Sequence, residues 1–349
     1  MENAMSKGTV FLIAFALLIS SVRAPDAQPS ERPIGILLAV GDIASCHHDP
    51  TRNGKATAEL IKREIASAKA IDQSLEVRVL ALGDLAYDHG SSESFGCFDA
   101  AWGEFKDKIL PVPGNHDYET NNGAAYFKYF ETTLRNLKAD KGKAYFSVEF
   151  PAPADPADNR SWLLIGLDSN VETGASSEQV RWLKAELSRT NRKCILAFSH
   201  AFFYSSGLHG HGENRTVTLA KPLVPEKQSR AFFQALYAGR ASVFVAGHDH
   251  HYEQLGRANA EGKPADNGQA AMVPDGVRSF VVGTGGKALY SNDYRKKWAF
   301  TEAYDLRSHG VLKIELYPDS YQWAFLPTKP NEASFKVIRE VRADKCNRS

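Results

Sequence analysis

The sequence predicts a mixed α/β sandwich, and three observations carry that expectation. Short β-branched runs alternate with helical periodicity in the first half of the chain. Strand-like runs dominate the second half, so strands outnumber helices late in the chain. A carboxylate, an amide or an imidazole follows strand after strand, the place where open α/β sheets carry their sites.

Taken in order, Lys7 precedes an apolar run from Val10 to Ile19, and small residues follow at Ser20, Ser21, Ala24 and Ala27. This is the layout of a secretory signal peptide, with a core too short for a comfortable membrane span. Residues 1–27 are therefore expected to be a signal peptide and 28–349 a single domain in a secreted, periplasmic or other extracytoplasmic compartment. Pro25 disfavours cleavage after Ala24 and leaves a retained membrane anchor as the alternative.

The chain has 42 Lys and Arg against 41 Asp and Glu, a formal net charge of +1. So even a balance implies no nucleic-acid partner and no anionic membrane surface. Cys46, Cys97, Cys194 and Cys346 form an even set without a Cys-x-x-Cys pair, which in an exported chain reads as disulfides. Three pairings are possible; Cys46 with Cys97 and Cys194 with Cys346 is favoured, because Cys46 and Cys97 each follow a strand-end aspartate.

Helical periodicity predicts a helix over 56–70, with Ala58, Ile61, Ile65 and Ala68 on one face. A second is predicted over 177–187, with Val180, Leu183 and Leu187. Strands are expected at 34–40, 77–82, 108–112, 145–150, 162–167, 194–199, 243–246, 277–282, 311–317 and 321–326. Residues 151–159 and 258–274 read as surface loops, and Gly283-Thr284-Gly285-Gly286-Lys287 as a glycine turn without phosphate-loop spacing.

Five polar clusters follow these strands. They are Gly41-Asp42, Gly83-Asp84-Leu85-Ala86-Tyr87, Gly114-Asn115-His116-Asp117, Ser199-His200 and Gly247-His248-Asp249-His250. Alone, each has an ordinary explanation: an aspartate at a strand end caps helices, and a lone histidine is commonly a hydrogen-bonded structural group. Together, in this order, they supply the oxygen and nitrogen donors that hard and borderline metal ions prefer.

The ordered set resembles the five metal motifs of the calcineurin-like metallophosphoesterases. Most members of that superfamily have Asp-x-His in the first motif, whereas this chain reads Asp42-Ile43-Ala44. The purple acid phosphatase branch replaces that histidine with a tyrosine in the second motif, and Tyr87 stands in its place. The resemblance implies a four-layer α/β/β/α sandwich of two mixed sheets flanked by helices, with the segment after His250 completing the second sheet. Asp42 follows closely on the N-terminal segment, so a single catalytic domain is expected.

The resemblance further implies one metal held by Asp42, Tyr87 and His250, a second by Asn115, His200 and His248, and Asp84 bridging them. Fe(III) with Fe(II), Zn(II) or Mn(II) is the implied pair, since two carboxylates and a phenolate suit a trivalent ion. The implied reaction is hydrolysis of a small-molecule phosphate monoester by in-line attack of a metal-bound hydroxide. His116 is the expected proton donor with Asp117 as its orienting partner. His209, in the loop Gly207-Leu208-His209-Gly210-His211-Gly212, is an expected catalytic and substrate-contacting residue, and His211 a further substrate contact. A phosphodiesterase or nucleotidase on the same centre is one alternative; an inactive metal- or phosphate-binding protein is the other.

Overall fold

A computed structural model of the chain describes residues 32–45, 50–155, 158–211, 227–261, 273–290, 297–329 and 341–348. The expected signal peptide and Cys46, the expected partner of Cys97, lie outside the described residues. In chain order the elements begin β1 (Gly35–Val40), β2 (Ala44–Ser45), α1 (Pro50–Ile71), β3 (Glu76–Leu82), β4 (Ala86–Tyr87), α2 (Ser92–Trp102) and β5 (Ile109–Val112). Next come α3 (Asn115–Tyr118), α4 (Ala124–Tyr129), α5 (Glu131–Asn136), β6 (Phe146–Phe150), β7 (Trp162–Gly166), α6 (Glu178–Arg189) and β8 (Ile195–Ser199). The remainder are α7 (Arg230–Ala238), β9 (Val243–Ala246), β10 (Tyr252–Ala258), β11 (Val277–Val282), β12 (Thr301–Asp305), β13 (Gly310–Leu316), β14 (Ser320–Pro327) and β15 (Arg342–Lys345).

The strands build a six-stranded sheet, β15-β14-β13-β1-β3-β5, and a seven-stranded sheet, β12-β10-β11-β9-β8-β7-β6. β1, β3 and β5 are parallel, as are β7, β8, β9 and β11, while the outer strands pair antiparallel. Both sheets are thus mixed.

The period-two alternation of side chains creates the layers. Leu164, Leu196, Phe198, Val243, Val245, Phe280 and Val282 pack in one apolar cluster with β1 and β3 of the other sheet. Their neighbours Leu163, Ile165, Ile195, Ala197, Phe244 and Val281 face the opposite way, against Val180, Leu183 and Leu187 of α6 and Phe232, Phe233 and Leu236 of α7. On the far side, Leu60 and Ile61 of α1 and Phe95, Phe98 and Trp102 of α2 close over the six-stranded sheet. The order is helix, sheet, sheet, helix, as the resemblance implies. β1 is buried along its whole length, which a parallel strand covered on both faces requires.

One expectation is corrected. Only β10, β11 and β12 of the segment after His250 join the seven-stranded sheet; β13, β14 and β15 extend the six-stranded one. β13 pairs antiparallel with β1, Gly35 opposite Leu316 through Ala39 opposite Leu312. The reason is that a buried strand must satisfy both of its edges: β3 covers one side of β1, and without β13 the other side would bury unpaired amides.

Cys194 and Cys346 form a disulfide that ties β15 back to the start of β8 across 152 residues. Closing so long a loop stabilises the fold by about 5 kcal/mol in the chain-entropy account. Among the described residues no helix is long and apolar enough to cross a membrane.

Candidate metal centre

The parallel strands determine where the polar clusters meet. β1, β3 and β5 of one sheet and β8 and β9 of the other end on the same side, and the residues after them converge. The Gly41 amide donates to the Val282 carbonyl at 2.9 Å, and the Gly247 amide to that of His200 at 3.0 Å, locking the strand-end turns together. Asp42, Asp84 and His248 adopt left-handed backbone with φ of 61, 48 and 72°. Non-glycine residues pay for that conformation, and three such residues around one point mark a site held in place by its surroundings. Gly83 has φ 82°, and a Cβ there would lie 2.6 Å from Cβ of His200, so only glycine lets the two strand ends approach.

Tyr87 lies at the centre of the first group. Its hydroxyl is 2.8 Å from Oδ1 of Asp42, 2.7 Å from Oδ2 of Asp84 and 3.2 Å from Nε2 of His250. His250 Nδ1–H donates to the Ala288 carbonyl at 3.0 Å, so its Nε2 is a lone-pair acceptor in the neutral ring. A hydroxyl has one proton, yet three acceptors converge on it.

A second group lies beside the first. His200 Nδ1–H donates to the Leu82 carbonyl at 2.9 Å, which turns Nε2 toward Oδ1 of Asn115 at 3.1 Å, Nδ1 of His248 at 3.1 Å and Oδ1 of Asp84 at 3.4 Å. Backbone carbonyls thus fix the tautomer and direction of both His200 and His250, the arrangement usual behind metal-binding imidazoles. Asp42, Asp84 and His200 place ligand atoms within 4.8 Å of one another and are all buried.

The electrostatics describe what the cluster favours. Burial opposes a charge on His200, but neighbouring Asp84 outweighs it and pushes the pKa up to about 9. Burial and the charge of His200 push His248 down to about 3. Burial, with the charges of Asp42 and Asp84, raises the Tyr87 phenol well above its ordinary value. Neither carboxylate has a Lys or Arg partner among the described residues. A cluster with two buried carboxylates and surplus acceptors fits a cation: bound there, it would neutralise the acids and make a phenolate affordable. Asp42, Asp84, Tyr87, Asn115, His200, His248 and His250 are the residues that could hold metal.

Around this cluster the residues expected to act on substrate divide. His116 is one-third exposed; its Nδ1 is 2.8 Å from the Asp88 carbonyl and 2.7 Å from a Glu119 carboxylate oxygen, and its Nε2 is 3.9 Å from Asp84. Asp117, expected as its orienting partner, is elsewhere. Its carboxylate is fully buried and accepts the amides of Gly114, Leu85 and Ala86 at 2.8, 3.0 and 3.1 Å. Burial and the charge of Asp84 push its pKa up to about 7. The geometric reason is the short helix α3, which turns residue 117 inward toward the β3 loop and residue 119 outward beside His116.

His209 lies at the cluster. Its ring stacks on that of His248 with centroids 4.2 Å apart, and its Nδ1 is 2.8 Å from Oδ1 of Asp249. The fully buried Asp249 also accepts the His209 amide at 3.1 Å, the Tyr290 hydroxyl at 3.1 Å and the Ser205 hydroxyl at 2.5 Å. Burial opposes protonation of His209, but the bond to Asp249 outweighs it and raises the pKa. His211 ends the same short turn; its side chain lies outside the described residues.

Sequence reasoning gave no role to Asp249, Glu119, Tyr290 or Lys287, and all four surround the site. A signal existed for two: Asp249 lies between two candidate ligands, and Glu119 stands three residues after His116, one helical turn away.

The calcineurin-like phosphoesterase family model matches residues 32–252. No curated protein matches the sequence. Among solved structures the fold is similar to the purple acid phosphatase PPD1 of yellow lupin (Lupinus luteus), at 13% identity and TM-score 0.62, over 90% of this chain and 54% of that one. The chain thus spans about half the length of the lupin enzyme. It is also similar to GAP50, the anchor in the inner membrane complex of Plasmodium (13% identity, TM-score 0.55, 89% of this chain and 88% of that one). A dimetal phosphatase from Danio rerio is a third likeness (14% identity, TM-score 0.52, 90% and 99%). With the family model covering the region that carries all five motifs, and the fold and metal-ready cluster agreeing with it, the chain belongs to the calcineurin-like phosphoesterase family.

Proposed function

We propose that this protein is a metal-dependent phosphatase of the purple acid phosphatase type, hydrolysing small-molecule phosphate monoesters outside the cytoplasm. The observation that carries this reading is the Tyr87 hydroxyl, within 2.8 Å of both Asp42 and Asp84 and 3.2 Å of His250. In this reading Asp42, Tyr87 and His250 would hold one ion and Asn115, His200 and His248 the other, with Asp84 the carboxylate that both would share. The first set is anionic and suits Fe(III); the second is neutral and suits Fe(II), Zn(II) or Mn(II). When bound, the pair supplies the Lewis acidity that activates water and neutralises phosphate oxygens.

The chain's own residues do the rest. His116, steadied through Nδ1 by Asp88 and Glu119, gives a proton to the leaving alkoxide from Nε2. His209, steadied by Asp249, contacts the phosphoryl oxygens from the opposite loop. Asp117 holds the β3 loop and the β5 loop in register through three backbone amides, which keeps Asp84 and Asn115 at a fixed spacing. The disulfide between Cys194 and Cys346 is consistent with an oxidising compartment.

The test is turnover of an aryl phosphate monoester and of the matching diester by the metal-loaded protein. Monoester cleavage that dominates supports the proposal. A preference for the diester moves the function to a phosphodiesterase on the same centre. No turnover of either, with metal bound, favours a binding role on a fold that also serves the Plasmodium anchor.

A further inference from the structure

The glycine turn that carries no phosphate-loop spacing has a different use. Its residues lie against the first strand-end loop: the Gly285 amide donates to the Gly41 carbonyl at 2.9 Å and the Lys287 amide to that of Asp42 at 2.9 Å. A Cβ at Gly286 would lie 2.1 Å from the Ile43 carbonyl oxygen, so the turn needs glycine to approach this closely. The main chain of Lys287 is thereby anchored to the loop of a candidate ligand, and its carbonyl is 3.1 Å from Nε2 of His309.

The side chain is equally fixed. Nζ of Lys287 is 4.2 Å from the centroid of the Tyr87 ring and 2.6 Å from Oδ1 of Asp88, the next residue along. The side chain is about one-quarter exposed and its ammonium pairs with Asp88. An ammonium at this distance from an aromatic face interacts with the π charge of the ring.

We infer that Lys287 is a tuning residue: resting on the reading of Tyr87 as a metal ligand, its ammonium withdraws charge from the Tyr87 phenolate and so sets the phenolate's donor strength toward the ion. The ammonium lies against the ring itself, 4.2 Å from its centroid, on the donor side of any bond that an ion would make at the hydroxyl oxygen. It therefore lowers the donor orbital of the phenolate more than the acceptor orbital of the metal, and widens the charge-transfer gap. A weaker phenolate donor in turn leaves the ion a stronger Lewis acid. The effect depends on charge at one place, so Lys287→Met, which keeps the length and apolar stem, removes it, and Lys287→Arg preserves it.

The experiment uses the full chain reconstituted with ferric iron, its metal content measured and its visible spectrum recorded for wild type, Lys287→Met, Lys287→Arg and Tyr87→Phe. The expected result is a band in the wild type that is lost in Tyr87→Phe, moves to longer wavelength in Lys287→Met and returns toward the wild-type position in Lys287→Arg, at equal iron content. An unmoved band in Lys287→Met overturns the tuning role and leaves the Tyr87 reading standing. A ferric wild type without the band overturns the Tyr87 reading itself and the inference with it.

Discussion

Two polar clusters in this molecule are built on opposite principles. At the far end of the sheets, Arg257, Arg278 and Arg342 face Asp344 and Glu302. Arg257 grips Asp344 with 2.8 and 2.6 Å bonds, and Arg278 reaches Asp344 at 3.1 Å and Glu302 at 2.7 Å. Each acid there has its base. At the strand ends, Asp42 and Asp84 share one phenol proton, have imidazoles for neighbours and have no Lys or Arg partner among the described residues. The first cluster is complete as built and explains itself as structure. The second has its charges aligned to suit something brought from outside, and its backbone is held in left-handed conformations to keep them aligned. A balanced network stabilises; an unbalanced one that persists in a fold marks function.

The contrast breaks most readily at Asp84. Asp84→Ala is expected to lower turnover by more than ~10²-fold and to reduce bound metal together with it, since it removes the carboxylate common to both groups. Elemental analysis and rates checked on the same samples, both near wild type, would end its bridging role. His116→Ala should lower kcat by about 10²–10⁴-fold with metal content retained, because in the proposed function it removes the proton donor and not a ligand. Full activity in that variant would remove His116 from the chemistry.

A finer division comes from Asp249. If it acts through His209, Asp249→Asn should cost about 10-fold in kcat/KM, and the same change made in a His209→Ala background should cost nothing further. Additive losses in that cycle would mean that Asp249 acts by another route, such as the placement of His248.

The smallest effect belongs to the balanced cluster. Asp344→Asn should destabilise the fold by about 2 kcal/mol in denaturant unfolding and leave metal content and turnover unchanged. Burial raises the pKa of Asp344, but its bond to Arg257 and the charges of Arg257 and Arg278 outweigh this and hold it below the ordinary carboxylate value. Its contribution is therefore present above the unfolded-state pKa, near 4, and is lost as pH falls through the lower folded value. The Asn variant should lose less stability than wild type over that acid window. An unchanged acid profile would show that Asp344 is not held by charge.

Much of this is legible in the sequence. The strand-then-acid pattern located Asp42, Asp84, Asn115, His200, His248 and His250 at converging strand ends because parallel strands terminate on one side, a rule that needs no tertiary detail. The apolar strand-like runs located ten strands, and a 3.6-residue period located α1 and α6. What escaped depends on partners distant in sequence. β10, with its Tyr-Glu-Gln-Leu-Gly pattern, and β15, with Arg-Ala-Asp-Lys, carry charged and polar side chains whose partners lie on other strands, so neither reads as an apolar run. That β13 joins β1 and not the second sheet depends on which strand edge is left open, which local pattern does not encode. Asp117 read as a partner of its neighbour His116, but a four-residue helix turned it toward Leu85 and Ala86 instead. Lys287 carried no signal at all, since its meaning lies in a 4.2 Å approach to a ring 200 residues earlier.

The central claim is that the unbalanced cluster is a two-metal centre, and the most direct test counts the metal. The purified chain, after reconstitution and removal of loosely bound ions, should hold two ions per molecule by elemental analysis, and Asp84→Ala clearly fewer. Two ions in the wild type would confirm that the surplus acceptors at Asp42, Asp84 and Tyr87 serve cations. A wild type that binds none, or that binds equally well without Asp84, would contradict the account and leave the cluster as a hydrogen-bonded junction between two sheets.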